Sequence, residues 1–133
     1  MSQENVELIR RVYDDFNNGD LDALIGSFSV DAEQVVAALG QTHRGRAEIR
    51  RSFEEYFEVV DAHNTEPIEF IEDDDWVVVP VLLHGRMRHT GITDEMIATE
   101  MVHAFAVRDG QIVWNYICVD KDEAIQEARR LSE

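Results

Sequence analysis

Cysteine, proline and lysine are nearly absent from this 133-residue chain. Cys118 is the single cysteine, so no intramolecular disulfide can form and no cysteine cluster can hold a metal. With nothing beside it to activate the thiol, it reads as a small core or interface residue. Lys121 is the only lysine, and 12 Lys and Arg stand against 28 Asp and Glu, for a formal net charge of -16. So acidic a surface repels phosphate backbones and anionic headgroups, so neither nucleic acid nor a membrane is expected as a partner. No apolar run approaches the roughly 20 residues that span a bilayer. The opening MSQENVELIRR is charged and amphipathic, without the apolar centre of a signal peptide. The cytoplasm is therefore the expected location.

What is present is an ordinary globular composition, 44% hydrophobic and 30% charged, enough for one core and one domain. Val6, Ile9, Val12, Tyr13 and Phe16 recur at spacings of three and four, which predicts an amphipathic helix. NNGD ends it, with Gly19 suited to the left-handed conformation and Asp20 placed to cap a short second helix. EQVVAA, residues 33–38, predicts a brief strand, and a third helix after HRG would bury Ile49, Phe53, Tyr56, Phe57 and Val60. PIEFIE alternates, between Pro67 and the acidic run Glu72 to Asp75, a solvated turn. WVVVPVLLHGRMR is β-branched and apolar on both faces at its start, and Pro80 within it demands an edge position or a bulge. HTGITDE turns the chain, MIATEMVHAFAV returns it, Asp109-Gly110 suits a tight hairpin, and IVWNYICV completes a sheet. Asp120 begins a polar C-terminal helix and has the capping-box spacing to Glu123. Helices first and an antiparallel meander afterwards predict an α+β domain with helices on one sheet face.

Three stretches, VYDDFNNGDLDALIGSFSVDA, HRGRAEIRRSF and VHAFAVRDGQIVWNYICVD, resemble the nuclear transport factor 2-like superfamily, and most closely its SnoaL-like and ketosteroid-isomerase-like branches. The resemblance spans nearly the whole chain. It implies a single cone-shaped domain over residues 1–133, with a strongly curved, mostly antiparallel sheet around the helices, a deep cavity, and often a dimer through the outer sheet face. The family's activities include isomerases, polyketide cyclases, dehydratases, epoxide hydrolases and plain binding modules, so the fold leaves the function open. Ketosteroid isomerases use a carboxylate base with a tyrosine and a protonated acid that hold the enolate oxygen. Matching NNGD, RGRAEI and RDGQI puts the tyrosine position on Val12 beside Tyr13, the base on Val36, and the acid on Val102 beside His103. Alkyl side chains transfer no proton, which excludes steroid isomerisation by that route. No Arg-x-Asp pattern of the epoxide hydrolases is found on a strand. The aspartate that the resemblance to SnoaL-like cyclases implies falls near Asp120, which the residues themselves read as a helix cap.

The one basic cluster, HGRMRH at residues 84–89, stands out against the acidic background. With the positions matching Val36 and Val102 taken as cavity-facing, strand alternation turns Val78, Leu82, His84, Arg86 and Arg88 inward. The same register turns Val79, Val81, Leu83, Met87, Met101, His103 and Phe105 outward, as an apolar face for a homodimer. A hairpin turning near Ile92 sets His84 opposite Glu100. The expected pocket then holds His84 and Glu100 as an acid/base pair, with Arg86 and Asn115, against Tyr13, Phe16, Val36, Phe53, Tyr56, Phe57, Leu82, Val102 and Ile117. His84 and His89 have opposite parity, and no ligand spacing marks a metal site. Two readings follow: cofactor-independent acid/base chemistry on an apolar carbonyl compound, or a non-catalytic binding or dimeric interaction module with the same cavity.

Overall fold

The computed structural model describes residues 2–87 and 97–132, with side chains at 2, 61–63, 87, 97, 98 and 132 left undescribed. Among the described residues four α-helices and seven strands follow one another: α1 (Ser2–Asn17), α2 (Leu21–Gly26), β1 (Phe28–Val36), β2 (Gln41–Arg44), α3 (Gly45–Val59), β3 (Val60–Pro67), β4 (Ile71–Glu72), β5 (Trp76–Met87), β6 (Ile97–Arg108), β7 (Gln111–Cys118) and α4 (Lys121–Ser132), with a 3-10 turn at Ala37–Leu39. The sheet runs β2-β1-β7-β6-β5-β3, with β4 also on β5. Among the described residues only the β1–β7 pair is parallel. This is the α+β cone: a curved, mostly antiparallel sheet around the N-terminal helices.

The local signals act where they stand. Asp20 Oδ1 accepts the Ala23 N–H at 3.2 Å and caps α2, satisfying one of the orphan donors at a helix start. Asp109 and Gly110 both have positive φ, 52° and 75°, the requirement for the two central residues of a type I′ turn. That turn joins β6 to β7 with Arg108 opposite Gln111. At the end of α1, Asn17 both donates to the Thr65 carbonyl (3.0 Å) and accepts its N–H (2.7 Å), tying the helix to β3.

Three boundaries differ from expectation. β1 begins at Phe28 rather than residue 33, because Ala32 and Gln34 are buried against the sheet's inner layer although the sequence around them is polar. α3 passes directly into β3 at Val60. Pro80 sits in a strand with neighbours on both sides, yet it lies at a local edge. β4 pairs with β5 through Val77 and Val78, β3 resumes at Val81, and Pro80 falls in the gap. Its carbonyl accepts from Ile68 N–H on that side at 2.9 Å. Proline's missing N–H therefore leaves no ladder partner unpaired.

The largest difference concerns facing. Val77, Val79 and Val81 of β5 and Met101, Phe105 and Val107 of β6 pack with α1, α2 and α3 in the inner core. Val78, Val102, Ala104 and Ala106 point the other way, into a second cluster with Trp76, Trp114, Cys118, Ala124 and Ala128. The inward set expected from the sequence is thus the outward one. Helix α4 lies on that outer face, its Ala124 and Ala128 buried against the strands. The described residues assigned to a homodimer face, Val79, Val81, Leu83, Met101, His103 and Phe105, therefore line the interior, and part of the true outer face lies under this chain's own helix.

Candidate functional site

Inside the cone is a cavity of about 590 Å³, within the range of small-molecule sites. Its walls come from α1 (Val12, Tyr13, Phe16), α2 (Leu24), α3 (Ser52, Phe53, Glu55, Tyr56, Val59) and the concave sheet face (Phe28, Gln34, Val36, Thr65, Leu83, Met101, His103, Phe105, Asn115, Ile117), with Leu39 and Gln41. Leu39, Gln41, Glu55 and Val59 are exposed and form the rim. Leu39 is 68% and Val59 44% exposed, so the mouth is largely apolar.

Besides the hydroxyl-bearing Ser52, Tyr56 and Thr65, two hydrogen-bonded pairs of neutral polar groups interrupt the apolar wall. Tyr13 Oη lies 2.9 Å from His103 Nδ1, and the two rings stack with centroids 5.9 Å apart. Phe105 meets both rings edge-on. His103 is half-buried: one side borders the cavity, and the rest packs against Tyr13 and Phe105. Removal from water disfavours the imidazolium and pulls its pKa from 6.5 down to about 4. The same burial drives Tyr13 well above the ordinary phenol range. At neutral pH both groups are uncharged. The second pair is Gln34 and Asn115, both buried. Gln34 Nε2 donates to Asn115 Oδ1 at 3.0 Å, and Asn115 Nδ2 donates to the Ala104 carbonyl at 3.1 Å. Gln34 Oε1 has no partner among the described residues.

The residues expected at the site divide sharply. Tyr13, Phe16, Val36, Phe53, Tyr56, Asn115 and Ile117 line the cavity. Phe57 stacks behind, its ring against those of Phe16 and Tyr56. Leu82 and Val102 are turned to the outer face, by alternation with Leu83 and His103. His84 pairs across β6 with Ala98, and Glu100 pairs with Leu82, so the hairpin register is two residues from the one that would join His84 to Glu100. Glu100 is exposed. His84 instead stands 3.7 Å from Glu66, with their side chains 31% and 61% exposed, a surface contact of little energetic weight. Arg86 shares the parity of His84 and is half-buried opposite Asp61. Arg88, His89 and Ile92 lie outside the described residues.

Asp120 accepts the Asp122 N–H at 2.9 Å through its side chain and the Ala124 N–H through its carbonyl. That is the work of a helix cap, away from the cavity. The expected capping-box partner, Glu123, accepts the Tyr116 hydroxyl at 2.8 Å. Among the described residues no three His, Cys, Asp or Glu side chains gather as metal ligands, and no helix is long and apolar enough to cross a membrane.

Sequence reasoning missed His103, Gln34, Met101 and Leu83. His103 was discarded by one residue of register. The available signal was the run of alanines at 104 and 106, with Ala124 and Ala128 one helical turn apart on α4. Small residues on both elements mark where a helix sits closely on a sheet, which would have made the even-numbered side of β6 the outer one.

The geometry defines a cone-shaped pocket protein whose deep wall, among the described residues, is mainly apolar and uncharged. The SnoaL-like domain model matches residues 9–115, and the chain belongs to that family. No curated protein sequence matches it. Among solved structures, a protein from Jannaschia sp. CCS1 assigned as a SnoaL-like polyketide cyclase superposes with a TM-score of 0.79 at 19% identity, over 95% of this chain and 92% of its own. TerC, co-crystallised with polyporic acid, superposes at 0.75 with 25% identity over 93% and 96%. A protein of ketosteroid isomerase-like fold from Catenulispora acidiphila DSM 44928, in complex with trimethylamine, superposes at 0.76 with 17% identity over 84% and 83%.

Proposed function

We propose that the cavity binds a small, mainly apolar carbonyl compound and that Tyr13 and His103 move a proton on it without a cofactor. The observation that carries this reading is the 2.9 Å Tyr13–His103 hydrogen bond in the wall of an apolar cavity. With His103 protonated on Nδ1, the ring donates to the Tyr13 oxygen. The phenol O–H is then left for a ligand carbonyl, and Nε2 is an open acceptor. Transfer of the ligand's α-proton to Nε2, of the Nδ1 proton to the phenol oxygen, and of the phenol proton to the carbonyl oxygen yields an enol. Both side chains remain neutral, with His103 now protonated on Nε2. Burial penalises an imidazolium here, so the neutral relay is the route this wall favours. Solved neighbours with small molecules bound, polyporic acid in TerC and trimethylamine in the Catenulispora protein, support a small-molecule occupant.

His84 and Glu100 do not enter this reading, since neither lines the cavity. The test is hydrogen exchange at C2 of 6-hydroxy-1-tetralone in D2O, followed by proton NMR. The native protein should accelerate exchange, and Tyr13→Phe or His103→Gln should each reduce the acceleration on the order of 10²-fold or more. Binding without exchange would leave the second reading, a non-catalytic pocket module, which the low basicity of a buried histidine favours.

A further inference from the structure

The direction of every amide in the Gln34–Asn115 pair is fixed from one end. The Ala104 carbonyl can only accept, so the Asn115 atom 3.1 Å from it must be the nitrogen. Asn115 therefore turns its oxygen to Gln34, and the Gln34 atom facing it at 3.0 Å must in turn be a nitrogen. What remains is the Gln34 oxygen, an acceptor buried in the cavity wall with no partner among the described residues. Gln34 itself is 1% exposed. A buried carbonyl oxygen left unpaired is costly, and one bordering a cavity is completed by what occupies the cavity. Its outermost torsion is broad, so a small rotation brings the oxygen to the cavity surface.

Gln34 lies across β7 from β6, and His103 lies two residues along β6 from the level of the pair. Two strand spacings and two residue rises separate their Cα atoms by at most roughly 12 Å, the curvature of the sheet bringing side chains on the concave face closer. The two polar pairs therefore address different ends of one occupant. We propose that Gln34, held by Asn115, is a specificity subsite for a hydroxyl donor, so that the ligand class is hydroxylated carbonyl compounds, phenolic or enolic at the end away from Tyr13. This rests on the reading of the cavity as a carbonyl-compound site, and it concerns affinity rather than proton transfer.

The test measures Kd by isothermal titration calorimetry for 6-hydroxy-1-tetralone, its 6-methoxy ether and unsubstituted 1-tetralone. The native protein should prefer the hydroxy compound by at least about tenfold over both. In Gln34→Met, of similar shape but without the acceptor, the preference should shrink to about twofold or less, while all three compounds still bind. Should that variant fail to fold, side-chain amide NMR of the native protein decides. The Gln34 Nε2 resonances should shift on addition of the hydroxy compound and not of its ether. Equal affinities for all three compounds, or a preference that survives Gln34→Met, would overturn the subsite. Loss of C2 exchange with the hydroxyl preference intact would overturn the proton relay alone. Failure of every compound to bind at millimolar concentration would overturn the cavity reading and the subsite with it.

Discussion

Acidification should expose His103. In the folded protein its pKa is about 4 against 6.5 in the unfolded chain. Between those values the unfolded chain binds a proton that the folded chain refuses, so stability falls as pH falls. The loss begins as pH drops through about 6.5 and levels off below about 4. Linkage with these two values gives a loss of about 2 kcal/mol by pH 5 and about 3 kcal/mol in the limit. The net charge of -16 complicates a simple pH scan, because protonating carboxylates relieves repulsion over an overlapping range. A difference between two proteins removes that background. Urea unfolding of the native protein and of His103→Gln, at half-unit steps from pH 8 to pH 5, isolates the histidine. Glutamine can either donate to the Tyr13 oxygen or accept from its hydroxyl, and it does not titrate. The stability difference should be flat above pH 7 and should move in favour of the glutamine variant by about 2 kcal/mol at pH 5. Parallel curves down to pH 5 would refute the claim that His103 is held neutral by burial.

Two further expectations address the frame around the cavity. Asp20→Ala removes the side chain that accepts the Ala23 N–H and should cost about 1 kcal/mol in urea unfolding; an unchanged midpoint would mean solvent satisfies that N–H equally well. Ala124 is fully buried between α4 and the outer sheet face, so Ala124→Leu should overpack the contact by about 1–3 kcal/mol. The same change should make Cys118, buried beneath α4 at 3% exposure, react faster with a thiol reagent. A native rate and native stability together would show that α4 does not hold that face.

The helices and hairpins were legible because their signals are local. A stripe at spacings of three and four, a glycine past a helix end and Asp109-Gly110 each act over a few residues, and each is found in its expected element. Facing in the long hairpin is different. Val77, Val78, Val79 and Val81 are all 0–1% exposed, because one side meets α1 to α3 and the other meets α4. A strand buried on both faces carries no alternation from which to read its orientation. Only a match to relatives assigned it, and a one-residue slip reverses every side chain. The slip carried His84, Arg86, Leu82 and Val102 to the wrong side and hid His103. β1 and β7 escaped because there the two faces differ: Gln34, Val36, Asn115 and Ile117 turn to the cavity, while Trp114, Tyr116 and Cys118 turn toward α4.

The consequence for chemistry is larger than a change of residue names. The expected site paired a histidine with a carboxylate, an arrangement that raises basicity and tolerates charge. The wall that is present pairs a histidine with a phenol and a glutamine with an asparagine, and among the described residues it has no ionised group at depth. A charged intermediate would receive no counter-ion there, and burial already depresses the basicity of His103. On the proposed reading, chemistry in this cavity keeps charge from separating by passing protons through the Tyr13–His103 bond. On the same reading the wall discriminates among occupants, since a carboxylate ligand would be desolvated against Phe16, Phe53 and Phe105 with no cation among the described lining residues to meet it. The acidic exterior works to the same end at the mouth, where Glu55 is the charged group on the rim. Anionic ligands are the ones that both the surface and the depth disfavour.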